Sequence, residues 1–187
     1  GVVAVATGSD HTTFIKSDGS LWATGHNAYG QLGDSTEDTD RTSPVQVLSS
    51  GVVSVSAGVY HTTFLKSDGS LWVTGRNYYG QLGDGNLTGR NQPYKISTGG
   101  GVVDFAHGLD HTLYVQTDGS LWGMGDNAYG QLGDGNTTDR NSSYRIVDAN
   151  VTAVAAGIHH TVFLKRDGSL WTMGRNDYGQ LGNGNGL

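Results

Sequence analysis

HTTFIKSDGSLW (residues 11–22) and HTTFLKSDGSLW (61–72) are nearly the same twelve residues, fifty positions apart. HTLYVQTDGSLW (111–122) and HTVFLKRDGSLW (160–171) state the pattern twice more. The leading histidines, His11, His61, His111 and His160, step by 50, 50 and 49 residues. Residues 1–34 and 51–84 agree at 25 of 34 positions, so the similarity runs well beyond the twelve. A fixed period of this length marks a repeat architecture. Each unit is one supersecondary element that cannot bury its apolar face alone, so neighbours must stack. The array divides into 1–50, 51–100, 101–149 and 150–187. The last unit is incomplete, because SPVQVL (43–48), QPYKIS (92–97) and SYRIVD (143–148) have no counterpart in it.

Within the second unit, VVSVSAG (52–58) is small, β-branched and bounded by glycine, which predicts a buried strand. HTTFLKS (61–67) predicts a second strand, and the Asp68–Gly69 pair a hairpin turn in which glycine supplies a positive φ. SLWVTG (70–75) is then the third strand. The Gly- and Asn-rich run that follows reads as a loop. PYKIS (93–97) reads as a short edge strand beginning at its proline. Four short antiparallel strands per fifty residues, without helical periodicity, predict an all-β fold of β-propeller blades. A linear β-solenoid is the alternative, but its coils repeat at roughly 20–30 residues.

The chain carries 11 Lys and Arg against 17 Asp and Glu, a net charge of −6. Phosphate backbones demand clustered cations, and none is present, so nucleic acid is not the expected partner. Cysteine is absent, which removes thiol nucleophiles, disulfides and Cys-based zinc sites. No run reaches the ~18 apolar residues of a membrane span. The chain begins with Gly at a repeat boundary, as expected of a piece processed or excised from something longer. The compartment stays open, with an extracellular location slightly favoured. Asn86, Asn136, Asn141 and Asn150 each begin Asn-x-Ser/Thr, which permits glycosylation in a secreted eukaryotic protein but also follows from turn-rich composition.

Gly-x-x-His-Thr, then Asp-Gly-Ser-Leu-Trp, then Gly-x-Asn-x-Tyr-Gly-Gln-Leu-Gly closely resembles the repeat of the regulator of chromosome condensation family. The last element spans Gly25–Gly33, Gly75–Gly83, Gly125–Gly133 and Gly174–Gly182. The resemblance covers essentially the whole chain. It implies blades of a seven-bladed propeller and contact with other proteins over one face of the disc. That family includes an exchange factor for a small nuclear GTPase, a plant ultraviolet-B photoreceptor and a secreted inhibitor of β-lactamases. One Trp per repeat argues against the clustered tryptophans on which light sensing depends. Seven units of this period need about 350 residues, whereas this chain supplies 187. A fragment, an open arc or a homo-oligomer that completes a ring all satisfy that arithmetic.

Residues identical in all four units are expected to serve the blade itself. The repeated histidines are read as structural, their rings hydrogen-bonded to backbone, because copies on separate spokes do not converge as metal ligands must. Trp22, Trp72, Trp122 and Trp171 are read as packing between sheets. Asp18, Asp68, Asp118 and Asp167 are assigned to turn chemistry. Tyr29, Tyr79, Tyr129 and Tyr178 are assigned to contacts between blades. Asp34, Asp38 and Asp40 raise the question of calcium, but their spacing does not match a calcium loop.

The varying positions are the candidate binding surface. Ser9 and Asp10, Val59 and Tyr60, Leu109 and Asp110, and Ile158 and His159 occupy the turn before each repeated His. His26 and Ala28, Arg76 and Tyr78, Asp126 and Ala128, and Arg175 and Asp177 follow the third strand. In an up-and-down meander both sets fall at one end of the sheet and project from one face of the disc. Drift at exposed turns accounts for the variation equally well. The reading is a non-enzymatic scaffold for protein–protein interaction, with no cofactor and no metal. A guanine-nucleotide exchange regulator is the first alternative. A propeller lyase or hydrolase is the second, against which stand the near symmetry of the array and the absence of a Gly-x-Ser-x-Gly elbow.

Overall fold

Strand formation follows the repeat. In the first unit, β1 (Val2–Thr7), β2 (His11–Lys16), β3 (Leu21–Gly25) and β4 (Arg41–Leu48) form one antiparallel meander in the order β1-β2-β3-β4. β5 (Val52–Ala57), β6 (His61–Lys66), β7 (Leu71–Gly75) and β8 (Arg90–Lys95) form the second. β9 (Val102–His107), β10 (His111–Gln116), β11 (Leu121–Gly125) and β12 (Arg140–Val147) form the third. β13 (Val151–Ala156), β14 (His160–Lys165) and β15 (Leu170–Gly174) form a three-stranded fourth sheet. The computed structural model describes residues 1–96 and 98–184. Over them the fold is all-β, and each sheet packs face to face on the next as a propeller blade.

Sandwiching between neighbours sets the burial. In β2 the burial alternates, with His11, Thr13 and Ile15 inside and Thr12, Phe14 and Lys16 half-exposed. That is the period-two signature of a sheet covered on one face. In β10, at the same position of the third blade, all six residues are buried, because sheets lie on both sides. Three apolar clusters bridge the blades. Ile15 and Leu21 meet Val52 and Phe64. Leu71, Val73 and Leu82 meet Val102, Tyr114 and Met124. Val115, Leu121 and Leu132 meet Val151, Val154 and Phe163.

The Asp-Gly-Ser-Leu-Trp element ties turn chemistry to packing. Gly19, at φ 77°, closes the turn by donating its N–H to the Lys16 carbonyl. Asp18 Oδ1 accepts from the Ser20 amide at 2.9 Å and the Ser20 hydroxyl at 2.6 Å. The Trp22 indole N–H donates to that hydroxyl at 2.9 Å, and its ring stacks on Phe14. Lys16 covers the outer side of the ring. The same chain of contacts recurs at Trp72. Trp72 and Trp122 pack against the apolar clusters between sheets, as expected, but at their margin. Trp22, Trp72 and Trp122 are half-buried, and Trp171 is exposed.

The outermost strand departs from the sequence reading. It starts before the proline in the second blade, at Arg90 rather than Pro93, and Ser97 of the expected strand lies outside the described residues. Pro44 and Pro93 both sit inside their strands, where the pairing to the third strand is irregular. An outer strand pairs on one side only, so a residue without an N–H is tolerated there.

Candidate functional site

The two variable sets do share one end of each blade. The residue after the third strand donates its amide to the carbonyl of the second turn residue: His26 to Asp10, Arg76 to Tyr60, Asp126 to Asp110 and Arg175 to His159. The first residue of each turn behaves differently. Ser9, Val59, Leu109 and Ile158 line a concavity of about 280 Å³ shared by the inner-strand ends of all four blades.

Side chains at this end reach across the junctions between blades. His26 of the first blade lies 6.4 Å from Tyr60 of the second, ring to ring. Arg76 of the second pairs with Asp110 of the third at 3.4 Å. Asp126 of the third lies 3.7 Å from the His159 imidazole of the fourth. Each junction thus uses the same two positions with different chemistry: aromatic on aromatic, cation on anion, anion on imidazole.

Arg76 is the group with the most aromatic neighbours. Its guanidinium lies 4.9 Å from the Tyr78 ring centroid, 5.4 Å from Tyr60, 5.6 Å from Tyr29 and 5.8 Å from Tyr79. Such cation–π contacts gain strength as the cation loses water. Tyr78 is 56% exposed, and Tyr79 is also exposed, so the cluster is a partly open aromatic patch around a fixed cation. Arg175 repeats the motif more sparsely, over Tyr129 and Tyr178, and binds Asp177 at 2.6 Å.

Two candidate residues are not at the surface. Asp110 is 4% and Asp126 7% exposed. The Gln81 amide donates to Asp110 at 2.6 Å, and the Gln131 amide to Asp126 at 2.8 Å. Burial pushes the Asp110 carboxyl up, opposed by Arg76. Both aspartates serve the junction beneath the surface, so the expectation of projecting side chains is corrected for them. Ser9, Asp10, Tyr78, Ala128, Ile158 and Asp177 are exposed, while His26, Ala28, Val59, Tyr60, Arg76, Leu109, His159 and Arg175 are half-buried.

Three of the repeated histidines, His11, His61 and His111, are structural, but each ring bonds a side chain of the next blade and not backbone. His11 Nε2 lies 2.9 Å from the Thr62 hydroxyl of the next blade. Thr62 spends its one hydroxyl proton on the Gln31 carbonyl at 2.8 Å, so the imidazole must donate from Nε2. His111, Thr161 and Gln131 form the same relay. His61 shares its Nε2 between Thr112 and His107. Desolvation lowers His11 to about 4 and His107 and His111 to about 3, and holds His61 well below the ordinary imidazole value. Replacing Thr62 with valine leaves a buried ring N–H and a buried carbonyl unpaired. The expected cost is about 2 kcal/mol, read as a lower urea midpoint at pH 7.

Sequence reasoning missed three participants. His107 stands where the other blades have Thr7, Ala57 and Ala156, and that size difference was its signal. The Gln of Tyr-Gly-Gln-Leu-Gly supplies the junction carbonyl and amide. Asp34, Asp84 and Asp134 clamp Arg41, Arg90 and Arg140 within the long loops. Asp34 is further bound by Asn27 and Thr36, and Asp40 accepts from the Asn27 amide. These carboxylates therefore organise a loop rather than converge on a cation. The tyrosine expectation holds at Tyr29, 5.1 Å from Tyr60, and at Tyr129, 5.0 Å from His159. It does not hold at Tyr178, which is 82% exposed.

Comparison with known proteins gives a family model and several similar structures. The model described as RCC1-like domain matches residues 2–186. Human WBSCR16 is similar at 26% identity and TM-score 0.83, over 92% of this chain and 47% of that one. Yeast RCC1 (Prp20) in its complex with Kap60 is similar at 22% identity and TM-score 0.84, over 97% and 45%. Prp20p from Saccharomyces cerevisiae, solved in a study that also covers its binding to Gsp1p and histones, gives 22% identity and TM-score 0.82, over 97% and 46%. The chain spans just under half the length of each of these structures. No curated protein matches the sequence.

Proposed function

Because the chain belongs to the RCC1-like family, matched over residues 2–186, we propose that it is a non-enzymatic scaffold whose turn-bearing face binds another protein. The observation that carries this reading is the patch of Tyr29, Tyr60, Tyr78 and Tyr79 around Arg76. Tyrosine and arginine dominate the energetics of protein interfaces, because they present large rigid surfaces with a polar handle. The patch draws on two blades, so a partner would read the junction and not one repeat. Yeast Prp20, solved in complex with Kap60, is a structural neighbour that binds protein. The buried carboxylates of the face are held by Gln81, Gln131 and Arg76, an arrangement that suits a fixed surface better than proton transfer.

Quantitative affinity capture on immobilised chain tests the reading. A specific partner should be retained by wild type and by a variant of the opposite end, Asp68→Asn. The paired change Tyr78→Ser and Tyr79→Ser should reduce its retention at least about tenfold, the effect of losing hot-spot aromatics. Equal retention by all three proteins would refute the tyrosine patch. Faster nucleotide release from a captured GTPase would replace the scaffold with an exchange regulator.

A further inference from the structure

Three departures from the repeat meet at one internal junction, that of blades one and two. Where the other blades have Asp10, Asp110 and His159, blade two has Tyr60. Where they have Ala28, Ala128 and Asp177, it has Tyr78. The loop GDSTEDTDR (33–41) of blade one is one residue longer than GDGNLTGR (83–90) and GDGNTTDR (133–140). It carries Glu37 and Asp38, which have no acidic counterpart in the other two.

The loop is anchored beside the rings. The Asn27 carbonyl accepts from the Asp38 amide at 3.0 Å, and the Asn27 amide donates to the Asp40 carboxylate at 2.8 Å. Asp139 makes the Asp40 contact in blade three, so Asp40 serves the loop itself. The Ser35 amide donates to the Asn91 carbonyl of blade two at 2.9 Å, which ties the loop to the junction. Two residues after Asn27, Tyr29 lies 5.1 Å from Tyr60 and 5.9 Å from Tyr78, ring to ring.

The charges bordering the rings are unequal. The Arg76 cation already faces Asp110. Glu37 and Asp38 are exposed, and among the described residues neither takes part in an ion pair. Gly85, Leu87 and Thr88 of the blade-two loop are exposed as well, although blades lie on both sides of it. The exposure of Glu37 and Asp38 therefore comes from the loop's place at the blade tip.

We propose that the partner of this face is a protein presenting a lysine- or arginine-bearing segment, its alkyl stems on Tyr78 and Tyr79 and its cationic heads at Glu37 and Asp38. Long cationic side chains lay their stems on apolar surface and keep the charged head in a polar setting. Tyrosine faces attract cations in addition. The inference rests on the reading of the tyrosine patch as a contact surface, and adds the sign of the charge that surface receives.

Fluorescence anisotropy on the whole chain with two labelled peptides, one alternating Lys with Ala and one alternating Glu with Ala, tests it. The lysine peptide should bind wild type, and less tightly as salt is raised. The glutamate peptide should not bind. Glu37→Gln combined with Asp38→Asn should raise the dissociation constant for the lysine peptide about tenfold. Asparagine suits the positive φ of 53° at position 38, so the loop is kept. Asp68→Asn combined with Asp118→Asn removes the same charge at the opposite end of the blades, and should change the constant by less than about twofold. If Tyr78→Ser with Tyr79→Ser abolishes binding and the Glu37 and Asp38 changes do not weaken it, the contact surface stands and its acidic assignment falls. Equal losses from the two acid pairs would reduce the attraction to net charge and overturn the proposal. A wild type that ignores the lysine peptide, or binds the glutamate peptide as tightly, would also overturn it and leave the patch to the capture experiment.

Discussion

Lowering the pH from 7 to 5 is expected to remove about 4 kcal/mol of folding stability through the buried imidazoles. His11 and His111 are buried as neutral donors in the Thr–Gln relays, with values of about 4 and about 3, against 6.5 unfolded. Burial is the main cause in both, helped by His26 at the first and by His107, His159 and His160 at the second. A histidine whose folded value lies below its unfolded one binds its proton preferentially in the unfolded chain. Stability from these groups is therefore complete above about pH 6.5 and falls as pH drops toward the folded value, by about 2 kcal/mol each at pH 5. His61 acts in the same direction. The aspartates of the Asp-Gly-Ser turns are held down by Ser20, Ser70, Ser120 and Ser169, so their contribution is lost only below the ordinary 3.8. Urea unfolding followed by tryptophan fluorescence at pH 7, 6 and 5 should show a midpoint that falls at each step. An unchanged midpoint from pH 7 to 5 would mean the imidazoles are not buried neutral.

Phe64→Ala is expected to cost about 4 kcal/mol, the usual loss for emptying a fully buried phenylalanine site. Phe64 is fully buried, stacked on Trp72 within its own blade and packed against Ile15 and Leu21 of the preceding one. Phe14 holds the same place in the same motif, but its outer side faces no blade, and it is half-exposed. Phe14→Ala should cost only about 1–2 kcal/mol, because less apolar surface is removed from cover. The difference between two identical substitutions in nearly identical sequence, Ile15 against Leu65 apart, isolates what a neighbouring blade contributes. Equal losses, measured by chemical denaturation in dilute protein, would show that each blade is stable by itself.

The blade was legible because its strongest constraints are local. Alternation in HTTF, the Asp-Gly turn and the Gly-rich loop each act within a few residues, and four copies averaged out the noise. The fourth strand was misplaced at Pro93 because an outer strand carries little pattern. Its pairing is one-sided and irregular, and it begins at Arg90, which also serves the loop by binding Asp84. The location of the variable face followed from meander topology. Its internal logic did not, because the pairs that meet there lie 33 or 34 residues apart and belong to different units. Arg76 with Asp110 is complementary only once the second blade is known to lie against the third. The burial of Asp110 and Asp126 was hidden for the same reason. Turn residues read as exposed until a neighbouring glutamine and a neighbouring blade close over them.

The central claim is that one sequence motif takes its stability from the blades on either side of it. Native-state hydrogen exchange of the four equivalent strands, in protein dilute enough to be a single copy, tests it most directly. Amides of His61–Lys66 and His111–Gln116, sandwiched between sheets, should exchange slowest. Those of His11–Lys16 and His160–Lys165, each with one bare face, should exchange measurably faster. Equal protection in all four strands, or slowest exchange in the fourth blade, would contradict the account.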